Sequence, residues 1–246
     1  MAIFPKAACI WRSDERDRNI GAPQLLAVAL SLAAVGYELA LPGVTDAPTR
    51  VAAIVGSHDG VLGRLPVPTK LGDAIVAVED EHFYSNVFLN VFDGAARAAV
   101  ASVRTSSDPG GSTIDQQLAK QLYPGGAGIG GTLQEIALGV KLSLTFSKPE
   151  ILEMYLNAIY FGHGYWGYVA AAHGYFALDP RQLTWAEASL LAGLPQAPSA
   201  YDPIRNLALA KQRQRHVLEQ LVVNHYLTAA AARAAFRVRL PLRRPS

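Results

Sequence analysis

TLQEIALGVKLSLTFSKPEILEMYLNAIYFGHGYWGYVAAAHGYF, residues 132–176, decides the class of fold. After Ser147, the residues Ile151, Leu152, Tyr155, Leu156 and Ile159 recur at helical spacing and form one apolar stripe. Ser147 and Glu150 stand three apart immediately before that stripe. This is the capping-box form, in which a hydroxyl and a carboxylate satisfy the free amides of a helix start. Thr184 and Glu187 repeat it, and Ser112 with Asp115 has a related form. No comparable run of strand-like alternation occurs elsewhere. A mainly α fold is therefore expected, with residues 70–232 as its helical body.

The composition agrees with one sizeable core. Half of the 246 residues are hydrophobic and 17% are charged, against roughly 25% charged in an average soluble domain. The 21 Gly and 15 Pro are scattered and no heptad or short repeat runs through the chain. Disordered, collagen-like and coiled-coil architectures are thereby excluded. A net charge of +2 gives no global attraction to nucleic acid, and none is expected as a partner. The single cysteine, Cys9, excludes an intrachain disulfide and a cysteine-based zinc site. His163 and His173 are ten apart, which is no helical ligand spacing.

Low charge and positive mean hydropathy lean towards a protein that meets a membrane. Residues 1–20 mix Lys6, Arg12, Arg16 and Arg18 with Asp14, Glu15 and Asp17 and read as a cytoplasmic leader. LLAVALSLAAVGYELAL, residues 25–41, is broken only by Glu38 and stopped by Pro42 and Gly43. As a helix it reaches roughly 25 Å, a little short of the bilayer's hydrocarbon core, so spanning also needs residues 21–24 or local thinning. A transmembrane anchor over 21–42 is expected; a secretory segment and a buried helix are the other readings. If it spans, the upstream cations place the N-terminus in the cytoplasm and the rest outside. Residues 43–69, with an apolar patch at 51–55, read as a stalk or docking connector. The tail 233–246 carries Arg233, Arg237, Arg239, Arg243 and Arg244 and no acid. It reads as a solvated end or as a contact with anionic lipid headgroups.

Three constellations can carry chemistry. In AIVAVEDEHFY, residues 74–84, an apolar helix ends in Glu79, Asp80, Glu81 and His82. Mutual repulsion and the apolar flank favour a raised carboxylate pKa, which suits a general acid or base; an acidic helix end facing water is the plainer reading. In PGGSTIDQQLAKQLYPGG, residues 109–126, hydroxyls, the amide pair Gln116-Gln117 and Lys120 crowd a helix start. They suit a cradle for sugar hydroxyls and phosphate, or an ordinary capped helix. The ending of a Walker loop is missing. In the third, the opening stretch, Glu135 is a second candidate carboxylate, punctuating apolar helix with Lys141, Lys148, Glu153 and Asn157. The aromatics of 160–176 can stack on sugars, sit at a membrane interface, or pack a core.

Taken in order, these residues resemble the peptidoglycan glycosyltransferase family, glycosyltransferase family 51, found in class A penicillin-binding proteins and in monofunctional biosynthetic transglycosylases. Glu79-Asp80 with Phe83 resembles the family's first motif, and Gly111-Ser112-Thr113 with Gln116-Gln117 the second. Glu135 falls where the third ends in its second carboxylate. Lys148, Ile151, Leu152, Glu153, Tyr155 and Asn157 reproduce the fourth motif, and Arg213 with Val217-Leu218 the fifth. The departures are specific. Asn86 and Phe88 stand where the family has His and Gly, with about one extra residue before Arg97. Gly131-Thr132 stands where an Arg-Lys pair precedes the Glu. Lys120, Lys141, Lys148 and Arg97 are the cations left to take that pair's place.

The resemblance implies a lysozyme-like, mainly α domain whose cleft opens beside the outer face of the bacterial cytoplasmic membrane. It implies that lipid II is the acceptor and a glycan on undecaprenyl pyrophosphate the donor. Glu79 would be the base, and Glu135 would assist departure of the diphosphate, directly or by holding magnesium or manganese. Ser112, Thr113 and Gln117 would orient sugar and phosphate, and Lys148 with neighbouring cations would offset charge. Asp80, Phe83, Gln116, Glu153, Tyr155, Asn157 and Arg213 complete the expected substrate-binding set. Little chain follows the fifth motif, so a monofunctional polymerase that works beside a separate transpeptidase is expected. A glycan-cleaving hydrolase and a silent glycan-binding scaffold are the rival readings.

Overall fold

The opening stretch folds as its periodicity requires. A computed structural model describes residues 25–26, 36, 40–64, 69–85, 112–126 and 128–243. Its helices are α1 (Ala47–Ser57), α2 (Lys70–Glu79), α3 (Ile114–Leu122), α4 (Ile129–Thr145), α5 (Lys148–Ala158), α6 (Gly167–Phe176), α7 (Trp185–Gly193), α8 (Leu207–Val223) and α9 (Ala229–Arg237), with a 3₁₀ turn at Pro180–Gln182. Among the described residues the only β pairing is an isolated bridge between Tyr160 and Trp166. The molecule is mainly helical.

α5 is the centre of one helix group. Ile151, Leu152, Tyr155 and Leu156 are all buried, and each aliphatic side chain so enclosed contributes about 1.5–3 kcal/mol. α3 packs on α4 and α5, and α5 also meets α1 and α6. At the start of α5 the Ser147 N–H and hydroxyl donate to Glu150 Oε2 at 2.8 and 2.7 Å. Residues 47–57, read from sequence as part of a connector, form α1 and bury Ala47, Val51 and Val55.

The second group is built on α7, which packs against α2 and α8, while α8 also meets α2 and α9. Thr184 and Glu187 close the box that starts α7, the Thr184 N–H donating to Glu187 Oε2 at 2.9 Å. The wholly buried Gln214 of α8 donates to Ala186 O at 2.7 Å and to Ser189 Oγ at 3.2 Å, tying α8 to α7. Gly193 lets the aliphatic part of Arg213 lie against α7, where a Cβ would meet Arg213 Cγ at 2.7 Å.

The expected leader 1–20 and most of the expected anchor 21–42 lie outside the described residues. Residues 1–41 and 42–246 form separate units. Among the described residues no helix is long and apolar enough to cross a membrane.

Candidate active site

Glu79 closes α2, a helix capped by Thr69 Oγ1, which accepts the Gly72 N–H at 3.1 Å. The next residue, Asp80, leaves the helical conformation. Its carboxylate accepts the N–H of Ile114, the first residue of α3, at 3.2 Å. Helix starts carry unsatisfied amides, so this bond fixes α3 beside the end of α2. Thr113 closes the cap: its Oγ1 accepts the Gln116 N–H and Gln116 Oε1 accepts the Thr113 N–H, both at 3.3 Å. The box expected at Ser112 and Asp115 therefore sits one residue later. Gln116 fills its last position, which releases Asp115 for a different partner.

That register aims Gln117 at Glu79. Gln117 Nε2 donates to Glu79 Oε2 at 2.9 Å, and the Tyr155 hydroxyl donates to Gln117 Oε1 at 2.7 Å. Burial, and then the charge of Glu79, push the Tyr155 phenol well above its ordinary pKa. From α8, Arg213 brings a guanidinium nitrogen to 3.7 Å from Glu79 Oε1. The cation that faces Glu79 thus comes from a helix more than a hundred residues away in sequence.

These groups line a cleft of about 750 Å³. Asp80, Ser112, Thr113, Gln116, Lys120 and Glu135 are on its wall with Glu79, Gln117, Tyr155 and Arg213. Acids, amides, hydroxyls and cations thus converge on one open space. The family model for transglycosylases matches residues 57–222. The chain belongs to the transglycosylase family. It is 42% identical over 163 residues to penicillin-binding protein 1A of Neisseria gonorrhoeae, covering 65% of this chain and 20% of that protein. It is 40% identical over 157 residues to a protein of Cupriavidus necator named as a transglycosylase, covering 63% of this chain and 68% of that one. The chain thus spans a fifth of the length of its penicillin-binding relative. A crystal structure of penicillin-binding protein 1A from Haemophilus influenzae matches 74% of this chain and 18% of its own at 23% identity, with a TM-score of 0.46.

Other expected site residues are not part of the cleft lining. Lys148 Nζ donates to Asp115 Oδ2 and Oδ1 at 2.8 and 2.9 Å and stands 4.6 Å above the ring of Phe83, which is wholly buried. Ser143 Oγ donates to the same carboxylate at 2.6 Å. This pair joins the start of α3, the end of α4 and the start of α5, so the ammonium expected at a diphosphate is committed to the fold. Lys141 donates to Pro42 O at 3.4 Å. Asn157 Oδ1 accepts the Gly63 N–H at 2.8 Å, and its Nδ2 donates to Gly63 O at 3.1 Å and Glu153 O at 2.9 Å. It clamps the segment before α2 onto α5. Glu153 is outside the cleft lining, its pKa raised by burial against the opposing charge of Arg64. Arg97, Asn86, Phe88 and Gly111 lie outside the described residues.

The cleft also holds residues that sequence reasoning missed. His216 and Gln220 follow Arg213 on one face of α8 and reach the cleft with it. Burial, then Arg213, lower the His216 pKa, with Glu219 opposing. Their spacing is the signal that could have found them, once Arg213 was placed. At Gly131, where the family's Arg-Lys pair would begin, an added Cβ would collide with the carbonyl oxygen of Gly126. The loop before α4 leaves no room for an arginine there, whereas Thr132 is exposed.

Proposed function

We propose that this chain is a peptidoglycan glycosyltransferase that polymerises lipid II into β-1,4-linked glycan at the extracytoplasmic face of a bacterial cytoplasmic membrane. The observation that carries the reading is Glu79, held by Gln117 and Arg213, on the wall of a cleft that also holds Glu135. Glu79 takes the proton of the acceptor 4-hydroxyl as that oxygen attacks the anomeric carbon of the growing glycan. The bond from that carbon to the diphosphate breaks, and undecaprenyl pyrophosphate leaves with the electron pair. Displacement of an α-linked donor with inversion gives the β linkage, so no covalent glycosyl enzyme is needed.

General base catalysis typically supplies about 10²- to 10⁴-fold. Positioning and stabilisation of the leaving diphosphate supply much of the rest. Lys120 and Arg213 are the cations of the described cleft wall suited to that charge, with Glu135 assisting departure. Among the described residues no three His, Cys, Asp or Glu side chains converge as a metal site. Magnesium or manganese would be held by Glu135 together with the substrate's own diphosphate, where it would neutralise developing charge. The product would pass to a separate transpeptidase.

The test is to incubate the purified protein with labelled lipid II, and in parallel with preformed glycan, and to read chain length on a gel. Lengthening ladders support the polymerase. Shortening of preformed glycan would replace it with a hydrolase, and a folded protein that does neither would be a scaffold.

A further inference from the structure

Gln117 and Tyr155 are expected to touch substrate, but their geometry gives them a second task. An ionised carboxylate only accepts hydrogen bonds, so Gln117 must turn its NH₂ towards Glu79 Oε2, 2.9 Å away. That choice points Oε1 the other way, where it needs a donor. The Tyr155 hydroxyl is that donor, at 2.7 Å. A reversed amide would set oxygen against carboxylate oxygen and leave the phenol proton without an acceptor. Tyr155 is 1% exposed and sits mid-helix in α5, so it is the fixed end of the chain, whereas the half-buried Gln117 side chain is otherwise held, among the described residues, only by a long bond from Nε2 to Ser112 O at 3.4 Å.

We infer that Tyr155 is a positioning residue for the base: acting through Gln117, it fixes the amide that holds Glu79 Oε2, and so aims the carboxylate at the acceptor hydroxyl. This rests on the reading of Glu79 as the base. Burial and the nearby carboxylate keep the phenol protonated, so the relay persists across the working pH range. Arg213 and His216 from α8, Lys120 from α3, Glu135 from α4, and Asp80 and Glu81 on its own segment share the cleft with Glu79. They are common to wild type and variant, so a difference between the two reports the relay.

The experiment compares Tyr155→Phe, Gln117→Ala and the double variant in the full chain. Tyr155→Phe lowers kcat roughly tenfold with KM little changed, and moves the acid limb of the kcat profile to higher pH. In the Gln117→Ala background the same change costs almost nothing, because its route to Glu79 is gone. Multiplying effects, or an unmoved pH profile, would overturn the inference and leave the polymerase reading standing. A second measurement needs no turnover: ¹³C-carboxyl NMR titration of Glu79, assigned with Glu79→Gln. Tyr155→Phe raises the pH at which Glu79 titrates; an unchanged titration overturns the relay. A wild-type chain that makes no polymer, with the Tyr155→Phe variant still showing this shift against it, would refute the polymerase reading alone.

Discussion

The two acidic walls of the cleft are built differently. Around Glu79 the polar atoms are tied to one another: Gln117 at 2.9 Å, Tyr155 behind it at 2.7 Å, Arg213 at 3.7 Å. Around Glu135 few such ties occur among the described residues. α4 follows Gly128 with no side-chain cap, Gly131 lies under the Gly126 carbonyl, and Lys141 and Lys148 donate to Pro42 O and to the Asp115 carboxylate. A group that must point one lone pair at one hydroxyl gains from a rigid scaffold. A diphosphate presents many acceptor oxygens and is met adequately by looser cations. With Glu79 as the proposed base, the difference teaches that pre-organisation is concentrated where the proton would move.

Four substitutions break or sharpen that contrast, in order of their effect on turnover. Glu79→Asp withdraws the carboxylate from Gln117 and Arg213; kcat for lipid II polymerisation should fall about 10²-fold, the cost of misplacing a reacting group by about 1 Å. Glu135→Gln should cost less, roughly tenfold to a hundredfold in single-turnover kinetics, because a diphosphate leaves readily by itself. Thr132→Lys adds a cation at the exposed position beside Glu135 and should lower KM about two- to fivefold with kcat unchanged. Lys148→Ala should leave KM unchanged. It leaves the buried Asp115 carboxylate without its part-buried partner and should cost about 2–3 kcal/mol in denaturant unfolding. A raised KM at full stability would return Lys148 to the substrate.

Much of this was legible in the sequence because it is local. The apolar stripe of α5, the caps at Ser147 and Thr184, and the acids ending α2 depend on neighbours within a turn or two. What escaped depends on distant partners. Asp115 reads as the end of a capping box until Lys148, 33 residues on, is seen to claim it. Asn157, expected in the substrate-binding set, is seen to spend its amide on Gly63, 94 residues away. Gly131 reads as a lost cation, and only the position of the Gly126 carbonyl explains why no side chain fits. Glu79, Gln117 and Arg213 were each singled out from sequence, but their meeting required the fold.

The central claim is that Glu79 is the base of a glycan polymerase. It is tested most directly by single-turnover polymerisation of labelled lipid II, wild type beside Glu79→Gln, with circular dichroism showing both folded. Lengthening ladders from wild type and a loss of at least about 10²-fold in the variant are predicted. A folded Glu79→Gln protein that polymerises at the wild-type rate would contradict it.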